Sequence, residues 1–131
     1  MLSLNLPTFA AKVKEKDGKH TIFDPVRRKY VALTPEEWVR QHFVNYLITH
    51  KGYPKELLAN EVPLKLNGTH KRCDSDAHNR FLAPLMIVEY KAPSIEITSA
   101  VFDQIVRYNM VLHVRYLAVS NGISPVSYTH L

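Results

Sequence analysis

The sequence predicts one mixed α/β domain in the order helix, three-stranded β-meander, helix, strand, behind an N-terminal β-hairpin. Three observations carry this prediction. Thr34-Pro-Glu-Glu37 has the composition of a helix start, and Pro84-Leu-Met-Ile-Val-Glu-Tyr-Lys91 reads as a strand buried on both faces that ends in charge. Asp17-Gly18 and Asn67-Gly68 are dipeptides of the kind that close two-residue hairpins. At 131 residues the chain has room for one hydrophobic core and not for two.

Taken in order, residues 8 to 24 read as two short strands joined at Asp17-Gly18, and Pro25-Val-Arg-Arg-Lys-Tyr30 as a basic connector; residues 1–33 thus form an N-terminal unit. The first helix starts with Thr34 as cap, Pro35 in its first turn and Glu37 completing a T-x-x-E capping box. Trp38, Val39, His42, Phe43, Tyr46 and Leu47 then recur as a stripe wide enough to pack on a sheet, and Gly52 and Pro54 end the helix. Val62 to Leu66 is the next strand. The strand returning from Asn67-Gly68 carries Lys71, Arg72, Cys73 and Asp74, whereas the following Ser75-Asp-Ala-His-Asn79 is too polar to read as buried strand.

After the strand at 84–91, Val101, Ile105, Tyr108 and Leu112 line one face of a helix from Ser99 to Leu112. Arg115 to Ser120 forms another strand before Asn121-Gly122. The core is therefore expected to span 34–123 within a single domain of 1–123. Ser124 to Leu131 has no pattern of its own and resembles translated adaptor sequence, so it is expected to be a non-native tail, with the natural core continuing past residue 123.

Composition narrows the function classes. No apolar run is long enough to span a bilayer, and the N-terminus lacks the basic start and unbroken apolar stretch of a secretory signal, so a cytoplasmic, non-membrane protein is expected. The single cysteine, Cys73, cannot form an internal disulfide, and no Cys/His group has zinc spacing, which leaves oxygen donors for any metal. A net charge of +5 favours a polyanionic partner such as DNA or RNA, although the positive residues are scattered along the chain and not gathered in one run. There is no phosphate-binding loop of the G-x-x-x-x-G-K-[ST] type, so ATP hydrolysis is not expected.

Side chains alternate along a strand, so Glu89 and Lys91 share a face. If the strand carrying Asp74 lies alongside, two carboxylates and an ammonium meet in one patch. Two carboxylate oxygens suit Mg²⁺, with water and phosphate oxygens completing the octahedron, and Lys91 is placed to orient the attacking water and stabilise developing charge. Solvated charges at a strand end would give the same E-x-K pattern, with Asp74 paired to Arg72 or Lys71. For E-x-K alone the solvated reading prevails; the setting adds weight to a site, since the charges follow Leu85-Met-Ile-Val88 directly, a partner Asp lies on the preceding hairpin, and Ala92-Pro93 stops the strand. Gln104 and Tyr108 lie one turn apart on the second helix, within reach of a phosphate or the metal's water shell. Glu37 is a further candidate metal ligand, but its capping position accounts for it.

The segments 23–30, 34–41, Lys71-Arg-Cys-Asp74, Met86-Ile-Val-Glu-Tyr-Lys-Ala-Pro93 and Val101-Phe-Asp-Gln-Ile-Val-Arg-Tyr-Asn-Met110 resemble small proteins related to the N-terminal domain of the type I restriction enzyme R subunit, over nearly all of residues 1 to 122. The resemblance implies the PD-(D/E)XK nuclease superfamily and a restriction-endonuclease-like core. It implies Asp74 as first acid, Glu89 as second, Lys91 as the lysine, Gln104 and Tyr108 as a Q-x-x-x-Y element and Glu37 as an extra helical acid. In place of the motif's proline the chain has Cys73. The implied activity is Mg²⁺- or Mn²⁺-dependent hydrolysis of DNA, alone or with other restriction-system subunits. The alternative is a catalytically inactive nucleic-acid-binding or assembly domain.

Overall fold

A computed structural model describes residues 4–66, 69–81, 84–109, 116–123 and 125–129. Among these the chain forms two α-helices and two sheets. The first sheet is antiparallel, with β1 (Val13–Lys16), β2 (Lys19–Asp24) and β3 (Lys29–Ala32) in that order. Asp17 (φ 53°) and Gly18 (φ 76°) both adopt positive φ, as the two-residue turn requires. The third strand corrects the reading of residues 25–30 as a connector. Asp24 accepts the amides of Val26 (2.8 Å) and Arg27 (3.2 Å), and Arg28 at φ 56° completes the turn that sends the chain back along β2. The sequence hides this turn because no glycine marks it.

Helix α1 (Pro35–Thr49) starts as its cap predicts, with Thr34 Oγ1 accepting the Glu37 amide at 3.0 Å. The second sheet runs β4 (Leu58–Leu66), β5 (Thr69–His78), β6 (Pro84–Tyr90), β7 (Tyr116–Ser120) and β8 (Pro125–Thr129). A single 3₁₀ turn, Lys55–Leu57, leads into β4. Leu66 pairs with Thr69, and the intervening Asn67-Gly68 lies outside the described residues. The β6–β7 pair is parallel, in register Glu89↔Val119, so a crossover must join them, and α2 (Ser99–Asn109) lies on it. The predicted helix end at Leu112 and strand start at Arg115 lie outside the described residues.

The order helix, three strands, helix, strand is thus present as α1, β4–β6, α2 and β7. Two differences stand beside it. β5 continues through Ser75-Asp-Ala-His78, and Ser75 and Asp76 are buried despite their polarity, together with Ala77. Pro125–Thr129, given no part in the fold by the sequence, pairs antiparallel with β7 from Ser120↔Pro125 to Tyr116↔Thr129. Val126, Tyr128 and Thr129 favour strands individually, but five residues are too few to show a period.

Helix α1 packs on one face of the second sheet. Val39 contacts Val88 and Tyr90, with Phe43, Met86 and Ala118 around them, while Val44 contacts Leu58 and Ala77. Leu4 also joins the first of these clusters. It lies so close to Gly122 (φ 82°) that a Cβ there would stand 2.7 Å from the Leu4 side chain. The Asn5 amide donates to the Gly122 carbonyl at 2.8 Å, which fixes the start of the chain to the end of β7.

Candidate functional site

The end of β6 is where the predicted residues lie. Met86, Val88 and Tyr90 face α1, which by alternation sends Glu89 to the opposite side. Glu89 pairs in register with the fully buried Val119, and the Lys91 amide continues the ladder by donating to the Ser120 carbonyl at 2.9 Å. Asp74 arrives from the neighbouring strand. Beyond the Ser75↔Val88 pair, its Oδ2 accepts the Tyr90 amide at 2.8 Å in place of a backbone partner. The carboxylate of Asp74 therefore binds the amide that joins Glu89 to Tyr90, and Glu89 and Lys91 are both half-buried.

Asp74 is also the end of a buried polar network that runs through α1. Arg40 Nη2 lies 3.9 Å from Asp74 Oδ1 and hydrogen-bonds Glu61, whose backbone holds φ at 57° opposite Asp74 in the β4–β5 pair. Arg40 Nη1 donates to Glu37 Oε1 at 3.1 Å, and the same oxygen takes Arg27 Nη2 at 2.7 Å, while Glu37 Oε2 takes the Gln41 amide group at 2.9 Å. Arg27 bonds Asp24, which also receives Asn60 Nδ2 at 3.0 Å. Ser75 then donates to Asn60 at 2.6 Å and accepts from the Tyr90 hydroxyl at 3.0 Å, which returns the chain of bonds to β6.

Among the described residues, this ring sets four carboxylates (Asp24, Glu37, Glu61, Asp74) against two guanidiniums (Arg27, Arg40). Burial alone would raise the pKa of Asp24, but hydrogen bonds from Arg27 and Asn60 outweigh it and hold the carboxyl below its usual value. Burial works against the charge of Arg27 too, yet its bonds to Asp24 and Glu37 raise its pKa. The Tyr90 hydroxyl is pushed up, chiefly by complete burial. Asp76, on the same strand but outside the ring, is raised by burial, with His78 Nε2 at 3.5 Å opposing the shift.

The Asp24 shift has a testable sign. A carboxyl with a lowered folded-state pKa adds stability above its unfolded pKa and loses it as pH falls through the folded one. Asp24→Asn is expected to cost about 2 kcal/mol at neutral pH, the typical value for a hydrogen bond to a charged group. The deficit should hold above pH ~5 and close as the wild-type Asp24 itself takes up a proton. Urea unfolding of both proteins across that range measures it. An equal deficit at all pH values would show that the Asp24 charge does not contribute.

Glu37 departs from its expected part. The Thr34 half of the capping box is present, but the Glu37 carboxylate turns into the network instead of back to the cap, and its oxygens take Arg27, Arg40 and Gln41. Gln104 is exposed on α2, and the Tyr108 side chain lies outside the described residues. Among the described residues no three His, Cys, Asp or Glu side chains group as metal ligands. Asp74 and Glu89 are a pair of hard oxygen donors on adjoining strands, which is sufficient protein ligation for a hydrated Mg²⁺. The predicted α1 stripe missed Arg40, Gln41 and their partners. Glu37, Arg40, Gln41 and Val44 stand at i, i+3, i+4 and i+7, a helix face that is buried although three of its four members are polar.

A family model for the type I restriction enzyme R protein N terminus matches residues 35–130. The chain belongs to this family. In this R-protein N-terminal domain the matched region runs from the first residue of α1 to the end of β8, so Glu37, Arg40, Glu61, Asp74, Glu89 and Lys91 all fall within it. Asp24 and Arg27, from the first sheet, precede it. Compared with curated proteins and with solved structures, the chain shows no match. Among the described residues, no helix of the R-protein domain is long and apolar enough to cross a membrane.

Proposed function

We propose that this R-protein N-terminal domain is a Mg²⁺- or Mn²⁺-dependent nuclease of the PD-(D/E)XK type that hydrolyses DNA phosphodiester bonds within a restriction system. The observation that supports this reading is the bond from the Tyr90 amide to Asp74, which ties the first acid to the stretch of β6 that leads from Glu89 to Lys91. Asp74 and Glu89 would hold the cation, and among the described residues the ring that ends at Asp74 has more carboxylates than guanidiniums, which fits a positive guest. A divalent ion here would neutralise charge on the phosphoryl oxygens and make the attacking water more acidic.

The chain's own groups have distinct parts. The Tyr90 amide fixes the rotation of Asp74, and Arg40 Nη2 stands 3.9 Å from its other carboxylate oxygen. Lys91 orients the attacking water and offers an ammonium to the charge that develops on the phosphate. Gln104 and Tyr108 remain proposed contacts to the phosphate or its water shell. Glu37 acts at one remove, holding Arg40 in place. DNA and the other subunits of a restriction system are the expected partners, in keeping with the family.

The test incubates the purified protein and Lys91→Ala with plasmid DNA, with Mg²⁺, with Mn²⁺ and with EDTA. Cutting by the wild type that needs the metal and is lost in Lys91→Ala supports the nuclease. Equal cutting in EDTA, or by the variant, refutes it. Salt-dependent binding without cleavage in any divalent metal would instead support the non-catalytic DNA-binding or assembly role.

A further inference from the structure

The lysines of the N-terminal hairpin are dispersed in sequence but gathered by its register. Val13↔Ile22, Lys14↔Thr21 and Lys16↔Lys19 pair across β1 and β2, and the Phe23 amide bonds the Lys12 carbonyl at 2.9 Å, extending the ladder by one residue. Paired residues project to the same side, so Lys12, Lys14, Lys16 and Lys19 share a face with Phe23 and its β3 partner Tyr30. The strand-borne acids Glu15 and Asp24 fall on the other face, together with Ile22. On that other face Ile22 and Asp24 are completely buried, while Val13, Glu15 and His20 toward the hairpin tip are exposed; on the lysine face all four lysines are exposed.

The two rings support this basic face. Lys14 Nζ stands 4.2 Å from the centre of the Tyr30 ring and Lys12 Nζ 5.5 Å from that of Phe23. The rings themselves meet edge to face at 5.3 Å. Cation–π attraction thus holds the ammoniums down on the sheet without neutralising them, as a carboxylate partner would. Along β1 the lysines recur about every 6.8 Å, two residues of strand, which is close to two base-pair steps of about 3.4 Å along one DNA strand.

We propose that this face binds the sugar–phosphate backbone of duplex DNA, as a sequence-independent contact lying before the segment that the family match covers. It rests on the DNA partner of the proposed function and not on cleavage. Phosphates are the complementary charge, and an exposed face with four ammoniums and no strand-borne carboxylate suits a polyanion.

The test measures binding of the full chain to a fluorescent duplex of about 30 bp by anisotropy, in EDTA, between ~50 and ~200 mM salt. The hairpin variant Lys14→Gln/Lys16→Gln/Lys19→Gln is compared with Lys51→Gln/Lys55→Gln/Arg80→Gln, which removes the same charge elsewhere. The hairpin variant is expected to bind at least about tenfold more weakly at the low-salt end, with the slope of log affinity against log salt reduced by about 3. The other variant should stay close to wild type. Circular dichroism checks that both are folded, and single replacements of Lys14 and Lys19 serve if the triple is not. Unchanged affinity and slope in the hairpin variants, or an equal loss in the comparison variant, would overturn the proposal. Because no metal is present, loss of binding here and loss of cleavage in Lys91→Ala are separate results.

Discussion

Arg40→Met is expected to destabilise the domain by about 3–5 kcal/mol, the usual cost of removing one partner from a buried charge group. The Arg40 side chain is only 6% exposed, and it joins Glu37, Glu61 and Asp74. Methionine fills a similar volume and can still lie against the Tyr90 ring, over which the guanidinium now sits at 5.6 Å. The loss is therefore one of charge compensation. Glu61 would keep its left-handed backbone without its bond to Arg40, and Glu37 would keep its bond to Arg27.

A domain of this size has about 5–15 kcal/mol of total stability, so the variant should unfold at much lower urea or not fold at all. A double variant, Arg40→Met/Glu61→Gln, should recover part of the loss, because one acid of the group that Arg40 compensated is gone. A cost under ~1 kcal/mol for the single variant would mean that the network is solvated and not structural.

The parts of this fold that were legible in the sequence are those whose cause is local. Thr34 caps α1 because the amide it accepts is three residues away, and Asp17-Gly18 turns because those two residue types tolerate positive φ. The apolar run ending at Glu89-Tyr-Lys91 was legible for the same reason. What escaped depends on partners distant in sequence. Ser75 lies in a buried strand because Asn60 and Tyr90, each 15 residues away, satisfy its hydroxyl. By composition alone that run is a loop.

Arg40 shows the same limit at the candidate site. On the helix wheel it reads as a solvated residue beside an apolar stripe, and only the return of β4 and β5 surrounds it with acid. The basic face of the hairpin was hidden for a different reason. Along the chain the lysines alternate with Val13 and Glu15, and only pairing of the strands sorts them by side.

Asp74→Asn should separate chemistry from architecture more cleanly than any other substitution. Asparagine keeps an oxygen to accept the Tyr90 amide, and Arg40 retains Glu37 and Glu61, so the change in stability is expected to stay within about 1 kcal/mol. On the proposed role, cleavage should fall far more. Removing one of two anionic ligands weakens cation binding and the stabilisation of transition-state charge by several kcal/mol, which at about 1.4 kcal/mol per factor of ten is roughly 10³-fold in rate. The comparison is cleavage rate at saturating Mg²⁺ against the urea midpoint of the same preparation. A rate within about tenfold of wild type would remove Asp74 from the proposed mechanism. A parallel collapse of stability and rate would instead assign Asp74 to the structural ring around Arg40, leaving Glu89 and Lys91 without their first acid.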